Sequence, residues 1–120
     1  MRDPAKLRVL DDARDLAVAT YAATGRFPRD ERFGLTAQMR RAAVSIGSNI
    51  IEGCHRSGNR ALIAFLHNAL GSAAELQFQI ELAARLKFGQ RSELEALHEQ
   101  STRCKKMLSR LIAALRKRGD

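Results

Sequence analysis

Residues 92–115, SELEALHEQSTRCKKMLSRLIAAL, place apolar or small side chains at alternating spacings of three and four. The positions in this pattern are Leu94, Leu97, Ser101, Cys104, Leu108, Leu111 and Leu115. The alternation is the heptad pattern of helices that pack along one apolar stripe. Ser92 and Glu95 have the spacing of a capping box, which predicts where the helix begins. The sequence therefore predicts a long C-terminal helix that is packed along most of its length.

Three further helices are predicted ahead of it, at residues 4–24, 35–53 and 60–88, with Pro4 in the first turn of the first. The apolar stripe of the first helix is Leu7, Leu10, Ala13, Ala17, Tyr21 and Thr24. The second helix has Leu35, Met39, Ala42, Ala43, Ile46, Ile50 and Gly53. The third has Leu62, Phe65, Leu66, Ala69, Ala73, Leu76, Ile80 and Ala83. Short connections around the third helix favour antiparallel neighbours. We therefore predict an all-α, up-down-up-down antiparallel four-helix bundle that forms a single domain over residues 1–120.

Composition supports helices and excludes a β-sheet protein. The 120-residue chain contains 19 alanines and 15 leucines, whereas aromatic residues make up only 5%. Alanine and leucine favour helices, whereas sheets need the branched and aromatic side chains that are scarce here. The N-terminal residues do not resemble a signal peptide and no apolar run is long enough to span a membrane, so we expect a cytoplasmic protein without membrane contact. Cys54 and Cys104 are predicted to lie too far apart for a disulfide, with Cys104 in the core.

Positive charge is concentrated near the C-terminus of this basic chain. The formal net charge is +8, and residues 101–120 contribute seven basic residues against one acidic residue. In the predicted topology this segment shares one end of the bundle with the start of the first helix and the turn between the second and third. We call this the basic end. Its candidate nucleic-acid-binding residues are Arg56, Arg60, Arg110, Arg116, Lys117 and Arg118, and the N-terminal Arg2, Lys6 and Arg8 add to it.

The basic end predicts binding of polyanions through phosphate contacts. Its acidic residues are Asp3, Glu52 and Asp120. The opposite end is closer to neutrality, with Arg26, Arg29, Arg32, Arg85, Lys87 and Arg91 against Asp30, Glu31, Glu93 and Glu95. The alternative is that residues 116–120 form a frayed tail that only keeps the protein soluble.

A metal site is the sharpest enzymatic hypothesis, and the predicted geometry argues against it. Two Glu-x-x-His pairs are present, Glu52 with His55 and Glu95 with His98, as in di-iron bundles. They fall near opposite ends of two parallel helices, about 20–25 Å apart at 1.5 Å per residue. No phosphate-binding glycine loop or catalytic triad pattern is present. We therefore expect no catalytic residue, no metal and no cofactor, and hence no enzyme.

Polar residues within the apolar pattern predict internal hydrogen bonds that fix the helix register, in preference to a catalytic role. This proposed polar core comprises Arg40, Arg41, Asn49, Glu52 and Glu75. We expect an at least partly buried ion pair between Glu75 and either Arg40 or Arg41.

A second apolar set on the third helix lies off its main stripe: Ile63, Leu70, Phe78 and Leu82. An isolated bundle would leave part of this set in water, so these residues are candidates for an oligomer interface. The sequence therefore predicts a homo-oligomer.

Residues 27–53 carry a recognisable pattern, which includes Phe27-Pro28, Arg40-Arg41-Ala42, Asn49-Ile50 and Glu52-Gly53. With a second block from Phe65-Leu66 to Glu75-Leu76, it resembles the bacterial four-helix bundle family that includes proteins encoded within intervening sequences of ribosomal RNA genes. The resemblance implies a pentameric ring with no known catalytic activity. A related group, the accessory variability proteins of diversity-generating retroelements, binds RNA and a reverse transcriptase. Two hypotheses follow: an oligomer that binds structured RNA through its basic face, or a ring-forming adaptor that binds a protein partner.

Overall fold

The computed structural model describes Asp3 and residues 7–119, and these residues contain four α-helices and no strand. The helices are α1 (Arg8–Thr24), α2 (Leu35–Cys54), α3 (Gly58–Arg85) and α4 (Arg91–Arg118), with a short 3-10 helix (Arg29–Glu31) between α1 and α2. The predicted all-α fold is confirmed. The predicted start of α1 at Pro4 lies outside the described residues, whereas its predicted end at Thr24 is confirmed. Within residues 7–119, no helix combines the length and the apolar character needed to cross a membrane.

The four helices pack as a bundle in which each contacts two neighbours. Within the described residues the backbones lie close together in the pairs α1–α2, α2–α3, α3–α4 and α4–α1, and they are farther apart in the two diagonal pairs. Neighbours run antiparallel: Ser45 meets Ser72 with 2.9 Å between their Oγ atoms, while Gly53, later in α2, packs against the earlier Leu62 of α3. The other three neighbouring pairs of helices show the same reversal. Between α1 and α2, Leu10 lies near Gly47 and Thr24 near Arg40. Between α3 and α4 the pairs are Ile63–Leu115 and Gln77–Thr102, and between α1 and α4 they are Val9–Met107 and Asp12–Arg103.

The apolar stripe of α2 is buried along its whole predicted length, but α1 is rotated relative to its predicted stripe. Leu16 and Thr20 are buried in α1, while Tyr21 is exposed and Ala17 only half-buried. Thr20 can be buried because its hydroxyl donates to the Leu16 carbonyl at 2.7 Å, which satisfies the polar group inside the helix. Tyr21 lies at the surface, where the guanidinium of Arg40 covers its ring, with 4.5 Å between the guanidinium carbon and the ring centroid.

Two details of α4 differ from the sequence prediction. Gln90 is the N-cap residue and its side chain makes no capping bond, so the predicted capping box of Ser92 and Glu95 is wrong. The helix begins at Arg91, one residue before Ser92. Near its other end Ile112 is buried and Leu111 only half-buried. An α-helix of 3.6 residues per turn drifts by about 20° per heptad from a strict 3.5-residue repeat, which brings Ile112 to the inside.

Gly53 lies where α2 and α3 approach closely. A Cβ atom on Gly53 would stand 2.9 Å from both Leu62 Cδ1 and Phe65 Cβ. The sequence predicts Gly53 as the end of α2, but the helix continues through Cys54. The glycine is therefore a packing residue that allows the two helices to meet.

Candidate nucleic-acid interface

The turn between α2 and α3 and the end of α4 lie side by side at the basic end. Asn59, which is buried at the start of α3, donates from Nδ2 to the backbone carbonyl of Gly119 at 2.6 Å. Arg60 and Arg116 line the shallow groove of about 290 Å³ beside this bond. Residues 116–118 are helical and are followed by a carbonyl that is bound to α3. The alternative of a frayed tail therefore does not describe these three residues, and Asp120 lies outside the described part of the chain.

The start of α1 does not reach as far as the end of α4. Arg8 and Arg110 line a common groove with Met107 and Leu111, which places the first turn of α1 level with residues 107–111. Arg110 is eight residues before Arg118, or about 12 Å along the helix axis. The basic end thus has a tip and a flank: Arg60, Arg116, Lys117 and Arg118 lie at the tip, and Arg8 and Arg110 on the flank. Arg2 and Lys6 lie outside the described residues.

The candidate basic residues differ in whether another side chain of the protein already pairs with them. Arg56 is paired with Glu52, with 2.9 Å between Nη2 and Oε2, and its guanidinium lies 5.1 Å from the ring centroid of Phe65. Arg116 donates from Nη2 to Nε2 of His67 at 3.0 Å, so this nitrogen of the imidazole acts as an acceptor. Within residues 7–119, Arg110, Lys117 and Arg118 make no ion pair. These three cations are available for an external anion.

At the opposite end of the bundle, several cations are paired or stacked. Arg26 lies 3.0 Å from Glu93, and Arg91 lies 3.6 Å from Glu95, measured between Nε and the nearest carboxylate oxygen. Arg32 stacks on Phe33 at 4.9 Å. The field at the opposite end is therefore weaker than the count of its arginines indicates.

The predicted polar core is wrong for three of its five residues. Arg41, Glu52 and Glu75 are exposed, and within the described residues Glu75 makes no ion pair with Arg40 or Arg41. The reason is the direction of the Arg40 side chain, which extends towards α1. Its Nε donates to Thr24 Oγ1 at 2.9 Å, and its Nη2 donates to the Tyr21 carbonyl at 3.3 Å.

Asn49, another residue of the predicted polar core, is half-buried and bonds within its own helix, to the carbonyl and hydroxyl of Ser45. The bonds that hold helices in register come from side chains outside the predicted polar core. Between α3 and α4, Gln77 Nε2 donates to Ser101 Oγ at 3.1 Å and to Thr102 Oγ1 at 2.6 Å. Lys105 donates from Nζ to Gln77 Oε1 at 2.9 Å. The signal in the sequence was Ser101, a buried polar residue within an otherwise apolar stripe, which requires a partner.

The four candidate interface residues divide into two pairs. Ile63 and Leu70 are half-buried because they pack against the core of their own bundle. Phe78 and Leu82 face outward from α3 and are 64% and 37% exposed. Within this set, the apolar surface exposed to solvent is therefore that of Phe78 and Leu82.

The groups considered for catalysis have other partners. His98 lies 2.9 Å from Glu81, measured from Nε2 to Oε2, and no cluster of three or more potential metal ligands occurs among the described residues. Cys54 and Cys104 are buried thiols. The pKa of the Cys104 thiol is raised to about 12, mainly by burial and then by the carboxylate of Asp12, while Arg103 lowers it by less. Cys104 is therefore a protonated core residue at neutral pH and not a nucleophile.

These features define a basic four-helix bundle whose charge is concentrated at one end. Residues 5–110 match the sequence profile of the 23S rRNA-intervening sequence protein family, and the chain belongs to that family. Its fold is similar to that of a crystal structure from Bacteroides thetaiotaomicron, a protein of unknown function from the S23 ribosomal protein family. The two chains are 27% identical with a TM-score of 0.80, over 88% of this chain and 95% of the other. No curated protein matches the chain. Neither family description names a reaction.

Proposed function

We propose that the protein binds structured RNA, or a polyanion with the same phosphate spacing, at the basic end and without catalysis. The observation that carries this proposal is the ordered tip of α4. Its cations Lys117 and Arg118 make no ion pair within the described residues, and the Asn59–Gly119 bond anchors them beside α3. The name of the family, which refers to sequences within ribosomal RNA, supports RNA as the polyanion.

Recognition by phosphate contacts fits the basic end better than base stacking does. The chain has only five Phe and one Tyr, and the exposed rings of Tyr21, Phe33 and Phe78 belong to other parts of the bundle. Proteins that bind single strands need aromatic platforms next to their cations. Cations on a rigid helix favour the regular phosphates of a folded RNA, which are recognised by shape.

Replacement of Arg110, Arg116, Lys117 and Arg118 by Gln tests the proposal in a salt titration of RNA binding. We expect weaker binding across RNA sequences and a log–log salt slope that is flatter by about one for each phosphate that the variant no longer binds. The control removes three cations at the opposite end, Arg26, Arg29 and Arg32, and should change both quantities little. If the control abolishes binding and the first variant does not, the RNA binds at the opposite end of the molecule and the proposal is wrong.

A second candidate function, an assembly adaptor, is favoured by the exposed side chains of Phe78 and Leu82. Two outward apolar side chains on one helix suit contact with another subunit or with a protein partner. In a ring, for which the family resemblance favours a pentamer, every subunit would present its basic end on the same face. An adaptor that does not use its cations would bind its partner with little dependence on salt, and this separates the two candidates.

A further inference from the structure

A cavity at the turn between α3 and α4 is not used by the proposed RNA interface. It has a volume of about 420 Å³, an apolar floor of Ala84, Phe88 and Leu94, and a rim that carries Arg85, Lys87 and Arg91. It lies at the end of the bundle opposite to the basic end. We propose that this cavity binds a small organic anion, namely a phosphate or carboxylate attached to an apolar body about the size of a fused ring.

The dimensions of the cavity suit such a ligand. Binding sites for small molecules usually occupy about 300–1,000 Å³ and combine an apolar lining with a few polar groups. The floor continues into a second depression of about 230 Å³, which shares Ala84, Arg91 and Leu94 and extends to Ile80. Its edge carries Glu81, Glu95 and His98, so the charged group of an anionic ligand belongs in the first cavity. The apolar part of a ligand can therefore lie along the groove between α3 and α4 while its charged group remains at the rim.

Two of the three rim cations have no acidic partner among the described residues. Within residues 7–119 the side chains of Arg85 and Lys87 make neither an ion pair nor a hydrogen bond. Arg91 has only an exposed contact with Glu95 at 3.6 Å. Two unpaired cations and one weakly paired cation beside an apolar floor suit a ligand that is anionic at one side and apolar at the other.

The backbone of Lys87 gives independent support for a role of its side chain. Helix α3 ends in a Schellman motif: Phe88 N–H donates to the Ala83 carbonyl at 3.0 Å, and Lys87 N–H donates to the Ala84 carbonyl at 3.1 Å. Lys87 occupies the left-handed position of this motif, with φ of 61°. Glycine is the favoured residue there because a side chain is strained at such an angle. A lysine at this position places a cation on the rim at the expense of local stability.

Three probes measure how much the apolar part and the anionic part of such a ligand each contribute to affinity: 1-naphthyl phosphate, 1-naphthol and inorganic phosphate. By calorimetry and amide chemical shifts, we expect 1-naphthyl phosphate to bind at least about tenfold more tightly than either fragment, since both parts contribute to affinity. The shifted amides should be those of the floor and rim. The affinities of decanoate and adenosine monophosphate then show whether the cavity prefers a fatty-acid carboxylate or a nucleotide phosphate. Equal binding of 1-naphthol and 1-naphthyl phosphate would overturn the proposal.

Lys87→Gly separates binding from folding. This variant should melt at a higher temperature than the wild type, because the strained position is relieved, and yet bind 1-naphthyl phosphate about tenfold more weakly. Lys106→Gln is the matched control: it removes one exposed lysine about 18 Å or more from Leu94 along α4 and should leave binding unchanged. Neither variant should alter the salt dependence of RNA binding at the basic end. If Lys87→Gly and Arg85→Gln both bind the probe as the wild type does, the cavity is not an anion site.

Discussion

Gly53 shows how one residue sets the distance between two helices. We predict that Gly53→Ala destabilises the protein by about 1–3 kcal/mol, because the new Cβ atom would meet Leu62 and Phe65 at 2.9 Å and the helices would have to separate. Urea unfolding measures the change.

Gly47 provides a control in the same helix. A Cβ atom there would contact Leu10 Cδ1 at 3.7 Å, an ordinary van der Waals distance. Gly47→Ala should therefore be neutral or stabilising by up to about 1 kcal/mol, through its higher helix propensity. Equal destabilisation by both substitutions would show that backbone packing at Gly53 is not the cause.

Cys104 makes a specific contribution to the pH dependence of stability. Its pKa rises from about 9 to about 12 on folding, so between these pH values the unfolded chain loses a proton that the folded chain retains. The free energy of unfolding should fall with rising pH by about 1.4 kcal/mol per unit from this thiol, with its contribution complete below pH 9.

Urea unfolding of the wild type and of Cys104→Ala from pH 8 to pH 11 measures this contribution. Both chains contain the same other titrating groups, so these cancel in the difference. We expect the two stability curves to converge as the pH rises. Parallel curves would mean that the thiol titrates in the folded protein as it does in the unfolded chain.

At the scale of the elements, α4 begins without a side-chain cap. Gln90 has the extended backbone of an N-cap residue, with φ of −105° and ψ of 129°, but its side chain makes no capping bond. We predict that Gln90→Asp stabilises the protein by about 1 kcal/mol, because the shorter side chain can accept from the free amides of the first turn. Thermal unfolding should show the gain. Ser92→Ala is the comparison, and a loss of about 1 kcal/mol there would instead restore Ser92 as the cap.

The buried face of a helix could be predicted from the sequence where the apolar periodicity is unambiguous. The bonding partners of long polar side chains could not, because such a side chain reaches more than one neighbouring helix. All seven predicted residues of the α2 stripe are buried. The failures have local causes: Arg40 bonds to Thr24 and covers Tyr21 instead of pairing with Glu75. An arginine side chain reaches either adjacent helix, and helical periodicity does not specify which one. The candidate cations of the basic end could be found in the sequence, but their pairing could not.

At the scale of the whole molecule, the outward side chains of Phe78 and Leu82 predict self-association. We expect sedimentation equilibrium at micromolar concentration to give a mass of at least two chains of 13.3 kDa each. Phe78→Glu should shift the mass towards that of one chain, because it places a charge in the apolar contact.

Val18→Glu is a suitable control, since Val18 is an exposed apolar residue on α1, outside the proposed contact. A wild-type mass of about one chain would refute the association. An oligomer that persists in Phe78→Glu would show that its interface does not include Phe78.

The elongated shape of the bundle, 47 × 22 × 20 Å, has a consequence for rotational diffusion. Helical N–H bonds point along the helix axes, and in a packed antiparallel bundle these axes follow the long dimension. A single chain would therefore tumble as a prolate body, in which amides of α1 to α4 reorient more slowly than those of the turns between them. Subunits placed side by side would widen the particle without lengthening it, and this contrast would shrink. The ratio of ¹⁵N relaxation times in helices and turns thus reports the arrangement of subunits, as well as their number.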